Sequence, residues 1–594
     1  MKKAERTEKG KPIAWRQSWL QRLRRAGVPL TVCGLAFLVY ARSLFCGFVR
    51  DDIAQIVHNR QVQSWQYLPQ LVGSHLWSQV TTEDSNIMFY RPIFSVWMLL
   101  VHTIGGLAPW FWHLSNIVLH AVMTYLVFRF CRRLTKSDVG AALAAAVFAV
   151  HPIHVDAVTW VSASCEILFA ICAMAAILAL VDGENASPRV WPSALWFGAG
   201  LFAKETGVAM LAVLPALAWA QLKDSGEGRK RFWACAYPYG AVTAGYLLIR
   251  WAVMHRVGVE RGEHSWAEVI CSGPSIFLFY MKKLFLPWNL SGCYMNLLTS
   301  SSTTVFWLQL TALLTGLCAL AWLAIRHNPL VGLSVALIAI PILPALAVIR
   351  VYPQGDMVHD RYLYLSSAGL SLLVAMLVKE VWPLQKAVKV GALTVVIALC
   401  VALAVETIYQ QRYYQDDIAF YSRVLKLAPS DAYARCMLGN IYLDEGRNDL
   451  ALEEFQRAHR FAPDNQKVTL FLARGLFVAG NFHEAETVLN ELLQTPHLNA
   501  RRRQATLLSL ANVQISMGNL DYAQRLLQQV QQSDDRFPEL HWAFGVLYQK
   551  QGLLAQALAE YEKEVEITGD ELAQQRSATV ARLVYSQSAG HPYR

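Results

Sequence analysis

Two adjacent carboxylates, Asp51 and Asp52, follow the first long apolar run, in the stretch Phe48-Val-Arg-Asp-Asp-Ile-Ala-Gln-Ile-Val-His-Asn59. At a membrane surface such a pair can take a proton from an acceptor or hold a cation. A solvated acidic loop has the same composition, so the meaning of the pair depends on what gathers beside it. Other ionisable groups stand at later apolar boundaries: His151-Pro-Ile-His154-Val-Asp156, then Glu166, then Lys204-Glu205 in Ala203-Lys-Glu-Thr-Gly207, and Arg361 in His359-Asp-Arg-Tyr-Leu-Tyr364. The His-x-x-His spacing lacks the Glu and the helical frame of a zinc pair, so no metal site is expected. Arg361 offers a planar fork matched to a phosphate and keeps its charge in a partly dry site. Its other reading is interfacial snorkelling beside Tyr362 and Tyr364. Carboxylates facing Arg, Lys and His at headgroup level suit transfer of a group from an anionic lipid carrier to a hydroxyl. The carboxylate accepts the proton, and the cations stabilise charge on the departing phosphate. The chain has no phosphate loop, dinucleotide fingerprint or Gly-x-Ser-x-Gly elbow, so neither a soluble nucleotide donor nor a serine hydrolase is indicated.

The elements that position these groups are membrane helices. Hydrophobic residues make up 55% of the 594 residues and charged ones only 16%, a balance that excludes an ordinary soluble domain. The net charge of +10 does not point to nucleic acid, because nine Lys and Arg fall in the first 25 positions, where they orient a membrane segment. The apolar run behind them exceeds a signal core and lacks a small-residue cleavage site, so it reads as an uncleaved first helix. The eleven cysteines are scattered singly without a Cys-x-x-Cys pair, which argues against a zinc site or a disulfide framework.

Apolar length and the distribution of Lys and Arg give about eleven crossings, near 28–48, 110–130, 138–151, 156–181, 189–203, 206–221, 232–253, 304–325, 329–349, 362–378 and 387–408. Residues 92–106 and 273–288 are expected to lie along or dip into the outer face. This topology places the N-terminus in the cytoplasm. The ionisable loops and everything after residue 408 then face the periplasm of a bacterium, or the endoplasmic-reticulum lumen of a eukaryote.

The tail repeats itself. Gly446, Ala451 and Phe455 recur 34 residues on as Gly480, Ala485 and Leu489, then after a four-residue insertion as Gly518, Ala523 and Leu527, and a fourth copy gives Gly545, Tyr548, Gly552, Ala557 and Tyr561. That is the tetratricopeptide period, with a small residue expected to let paired helices approach and a large apolar one to fill the space between hairpins. Pro429, 34 residues before Pro463, suggests a degenerate leading repeat from about Tyr413. The fold expected is all-α: a basic N-terminus (1–27), a polytopic helical membrane domain (28–408), an α-solenoid of tetratricopeptide repeats (409–568) and a C-terminal tail (569–594).

Phe-Val-x-Asp-Asp around Asp51 and Asp52, Tyr90-Arg91-Pro92, Asn116 with His120, His151-Pro-x-His-x-Asp156, Lys204-Glu205 and Asp360-Arg-Tyr-Leu-Tyr364 together resemble the transmembrane, tetratricopeptide-containing O-mannosyltransferases of the GT-C class. The resemblance runs from about residue 28 to 565 and rests on motif order. It implies a polyprenyl-phosphate-linked sugar as donor, mannose by default, and inversion at the anomeric carbon. No cofactor is expected, with a divalent metal left open because paired carboxylates serve some GT-C enzymes as metal ligands and others as bases alone. Asp51 would be the catalytic base with Asp52 second. Arg361, Lys204, His151 and His154 would bind the donor phosphate, and Arg91, Asp156, Glu205 and Asp360 would support the site. Many relatives carry Arg where this chain has Ser164, so an ion pair to Glu166 is expected to be missing. The repeats would bind an acceptor polypeptide or partner protein. The alternatives are an acceptor in envelope polysaccharide or lipid, or a non-enzymatic membrane-anchored repeat scaffold.

Overall fold

The computed structural model describes residues 27–78, 89–182, 188–221, 228–255, 265–294, 304–326, 328–348, 358–496, 498–568 and 571–588. The basic residues of positions 1–26 lie outside them. The described chain is all-α and divides into two compact units, Met1–Leu427 and Ala428–Arg594. Residues 409–427 therefore pack with the membrane unit, although their sequence belongs to the repeat pattern.

In the first unit the principal helices are α1 (Gly27–Phe45), α2 (Pro92–Gly105), α3 (Pro109–Thr135), α4 (Asp138–Val150), α5 (Ser164–Val181), α6 (Val190–Ala203), α7 (Gly228–Met254), α8 (Trp266–Phe285), α9 (Thr304–Arg326), α10 (Pro329–Ala339), α11 (Ser366–Val381), α12 (Lys386–Gln411) and α13 (Asp417–Leu427). Most of the eleven stretches expected to cross the membrane fall on helix, but 156–181 breaks at Trp160, and 206–221 is a 3-10 segment followed by the short helix Leu214–Ala220. Among the described residues, six helical segments are long and apolar enough to span a bilayer, or seven if α4 and the bent continuation Pro152–Thr159 form one span. The unit is thus an integral membrane body, in which α5 packs against α6 and α3, and α4 packs against α3 and α11. The window of α9 is 0% buried, as a helix facing lipid would be.

The helices break where the ionisable motifs stand. Pro152 disfavours αR at the residue before it, and His151 takes φ −73° and ψ 124°, ending α4 in a 50° bend. Lys204 is likewise extended (φ −157°, ψ 124°) between α6 and the turn Glu205–Ala212. At both breaks backbone that would be helical is freed to aim side chains inward.

The second unit stacks antiparallel helix pairs from Ala432–Asp444 to Leu554–Thr568. The recurring Gly446, Gly480, Gly518 and Gly552 adopt φ between 73° and 85°, so they supply the left-handed turn that ends each first helix. The recurring Ala451, Ala485, Ala523 and Ala557 are fully buried, and close approach is made also by Gly439 and Gly475, both against the Phe455 ring, and by Gly545 against Tyr561. Phe455 is fully buried, a burial of roughly 2–3 kcal/mol. The segment read as a tail contains a helix, Glu571–Ser588, whose Val580 packs with Ala557 and Tyr561 and so covers the last repeat.

Candidate active site

One cleft of the membrane unit, about 560 Å³ including its mouth, collects side chains from five distant stretches: Asp51, Arg91, Glu166, Lys204, Glu205 and Arg361. Asp51 stands at the entry to the short helical turn Ile53–Val57. Its neighbour Asp52 is fully buried and does not line the cleft. Asp52 Oδ1 accepts from the Ser162 backbone N–H (2.7 Å) and Oγ (2.5 Å), and Oδ2 accepts from Val49 N–H (3.1 Å). Burial pushes its carboxyl up to about 7 against those three donors, with Asp51 adding a like charge. The two carboxylates therefore differ in setting: one lines the cleft and the other ties the first loop to the 160–164 turn.

Three ion pairs organise the cations. Arg91 makes a two-pronged contact with Glu205, Nε to Oε2 at 2.9 Å and Nη2 to Oε1 at 2.6 Å, and its guanidinium lies 4.1 Å from the Phe89 ring centre. Lys204 pairs with Glu166, both almost wholly buried, and its ammonium stands 4.6 Å from the centre of the Tyr362 ring. Arg361 donates from its backbone N–H (3.1 Å) and Nη1 (3.4 Å) to Asp156 Oδ2, while its Nε is 3.9 Å from Glu166 Oε1. Its guanidinium stacks 4.5 Å from the Trp160 ring centre. Arg361 is thus a clamped, oriented cation rather than a snorkelling one. The missing Arg at Ser164 leaves no gap in charge, because Lys204 and Arg361 serve Glu166 instead.

Asp156 and Asp360, expected to support the site, do not line this cleft; both line a second cavity. Asp156 Oδ1 accepts from Tyr414 Oη at 2.9 Å. Asp360 accepts from Tyr294 Oη (2.8 and 2.9 Å) and from Ser291 N–H (3.3 Å). Burial pushes the Asp360 carboxyl up to about 7, opposed by Lys283 and reinforced by Asp156.

The histidines lie elsewhere. His151 Nε2 is 3.1 Å from Leu284 O and His154 Nε2 is 2.7 Å from Ser367 Oγ. His154 and His120 stand edge to face at 5.2 Å, with Tyr364 4.7 Å from His154 and hydrogen-bonded to His120 at 2.7 Å. Both members of His-x-x-His are buried in this aromatic cluster and neither lines the cleft. Pro152 fixes the bend that turns them into the core rather than toward Arg361. Among the described residues no His, Cys, Asp and Glu group has the arrangement of a metal site. Sequence reasoning passed over Ser162, Trp160 and Tyr414; an aromatic or hydroxyl residue beside a helix break carries no signal of its own.

Residues 442–507 and 409–466 match tetratricopeptide repeat families. The protein O-mannosyl-transferase Tmtc2 of Drosophila melanogaster is 32% identical over 204 residues, covering 32% of this chain and 22% of the fly protein. TMTC3 of Mus musculus, another protein O-mannosyl-transferase, is 23% identical over 585 residues, covering 89% of this chain and 62% of the mouse protein. The chain thus spans less than two thirds of the length of these curated relatives. Among solved structures, ArnT from Cupriavidus metallidurans bound to undecaprenyl phosphate is 15% identical, with a TM-score of 0.35 over 79% of this chain and 81% of ArnT. By class, the chain is a helical membrane protein carrying tetratricopeptide repeats. More particularly, parts of it are similar in sequence to protein O-mannosyl-transferases.

Proposed function

We propose that the chain is a membrane glycosyltransferase of GT-C type that moves a sugar, mannose by family default, from a polyprenyl-phosphate carrier to a Ser or Thr hydroxyl of a protein. The observation that carries this reading is the cleft itself, in which the Asp51 carboxylate and the oriented cations Arg361 and Lys204 line one cavity. Asp51 takes the acceptor's proton as its oxygen bonds to the anomeric carbon. The bond from that carbon to the phosphate oxygen breaks on the opposite face, which inverts the centre. Arg361 and Lys204 receive the departing phosphate monoester, and their carboxylate partners keep them in place before it arrives. Asp52 is engaged with Ser162 and Val49, so a single member of the pair faces the cleft; this favours proton transfer over metal holding. The cleft and the repeats face the periplasm or the organelle lumen, and the repeats bind the acceptor polypeptide or a partner.

The test is transfer from radiolabelled polyprenyl-phosphate sugars to candidate polypeptides by purified protein. Asp51→Asn should lower turnover by about 10²-fold or more, and Arg361→Ala should raise the donor concentration needed. An Asp51→Asn variant that transfers as fast as the parent would remove the base from this scheme.

A further inference from the structure

At the junction of α12 and α13, Asp417, Gln415 and Tyr414 contact Arg50, Gly47 and Asp156; these stay outside the cleft lining, but Arg50 adjoins Asp51 and Asp156 pairs with Arg361. Asp417 Oδ1 accepts from the backbone N–H of Arg50 at 2.7 Å. Arg50 adjoins Asp51 and holds a left-handed φ of 52°, a conformation that a residue with a side chain keeps only when its surroundings enforce it. Three residues earlier, Gly47 N–H donates to Gln415 O at 2.9 Å. The Arg50 guanidinium is sandwiched between the rings of Trp160 (5.0 Å) and Phe420 of α13 (5.1 Å). The same Trp160 ring lies under Arg361. On the other side Tyr414 Oη bonds Asp156 Oδ1, whose second oxygen receives Arg361.

We propose that Asp417 and Tyr414 are positioning residues of the transfer site: Asp417 fixes the strained Arg50–Asp51 turn that aims the base, and Tyr414 fixes, through Asp156, the cation that receives the donor phosphate. The inference rests on the glycosyltransferase reading for its kinetic consequence, though not for its structural one. Neither residue reaches substrate. Both belong by sequence to the first repeat pattern and by packing to the membrane unit, so the segment that begins the repeats also trims the cleft.

The two contacts act on different groups, so their loss should separate kinetically. In the full-length protein in detergent, Asp417→Ala should lower kcat at least tenfold with the donor KM within about threefold of the parent. It should also speed amide hydrogen exchange across residues 47–57. Asp417→Asn, whose side-chain oxygen still accepts from Arg50, should restore most of both. Tyr414→Phe should instead raise the donor KM at least fivefold with a smaller change in kcat. If Asp417→Ala leaves loop exchange and kcat within twofold of the parent, or if Asp417→Asn is as defective as Asp417→Ala, the positioning role is wrong. A parent protein that transfers no lipid-linked sugar would sink the glycosyltransferase reading instead. The exchange of residues 47–57 in Asp417→Ala and Asp417→Asn would still decide whether Asp417 holds the turn.

Discussion

Asp52 and Ser162, 110 residues apart, are joined by two hydrogen bonds to one carboxylate oxygen, from the Ser162 N–H at 2.7 Å and its hydroxyl at 2.5 Å. The bond pair staples the first loop to the turn ahead of α5. Burial holds the folded Asp52 pKa up at about 7, against an ordinary value of 3.8. With the folded value raised, the native state binds the proton more tightly than the unfolded one. The group's stabilisation is therefore complete below pH 4 and is lost as pH rises through 7, about 4 kcal/mol in all. Asp52→Asn should flatten the dependence of melting temperature on pH between about 4 and 7, and an unchanged slope would show that Asp52 does not titrate there.

Lys204 and Glu166 form a buried pair with Arg361 close to the same carboxylate. Removing one member leaves a charge stranded out of water, which typically costs about 3–5 kcal/mol. Glu166→Gln and Lys204→Met should each lower the unfolding midpoint sharply, while the double variant should recover part of the loss. Additive losses in this double-mutant cycle would mean that the pair is not coupled.

Arg91 grips Glu205 through two parallel bonds at 2.6 and 2.9 Å. Lysine keeps the charge but not the fork. Arg91→Lys should therefore destabilise by about 1–2 kcal/mol and loosen the cleft wall, read as a lower melting temperature and a higher donor KM. If Arg91→Lys matches the parent in both, a single charge is enough there.

In the repeats, a Cβ built on Gly475 would lie 2.5 Å from the Phe455 ring. Gly475→Ala overpacks that joint and should cost about 1–3 kcal/mol. Pairing it with Phe455→Leu should return much of the stability if the clash is the cause. Circular-dichroism melts of the full chain read both.

The sequence alone determined the all-α class, the order of membrane helices before repeats, and the repeat period, because each is written in local composition or in spacing along one helix. Polar motifs at the ends of apolar runs were legible for the same reason: a charge is costly inside lipid wherever it stands. Which of those motifs meet was decided by tertiary packing. Asp51 and Asp52 are adjacent in the chain, yet one lines the cleft and the other is buried against Ser162. His151 and His154 share a loop with Asp156, but only Asp156 reaches Arg361, since Pro152 bends the chain and sends the two imidazoles into the core. Spacing records distance along the polypeptide. Pairing between residues such as Tyr414 and Asp156, 258 positions apart, depends on how helices pack, and no local pattern encodes that.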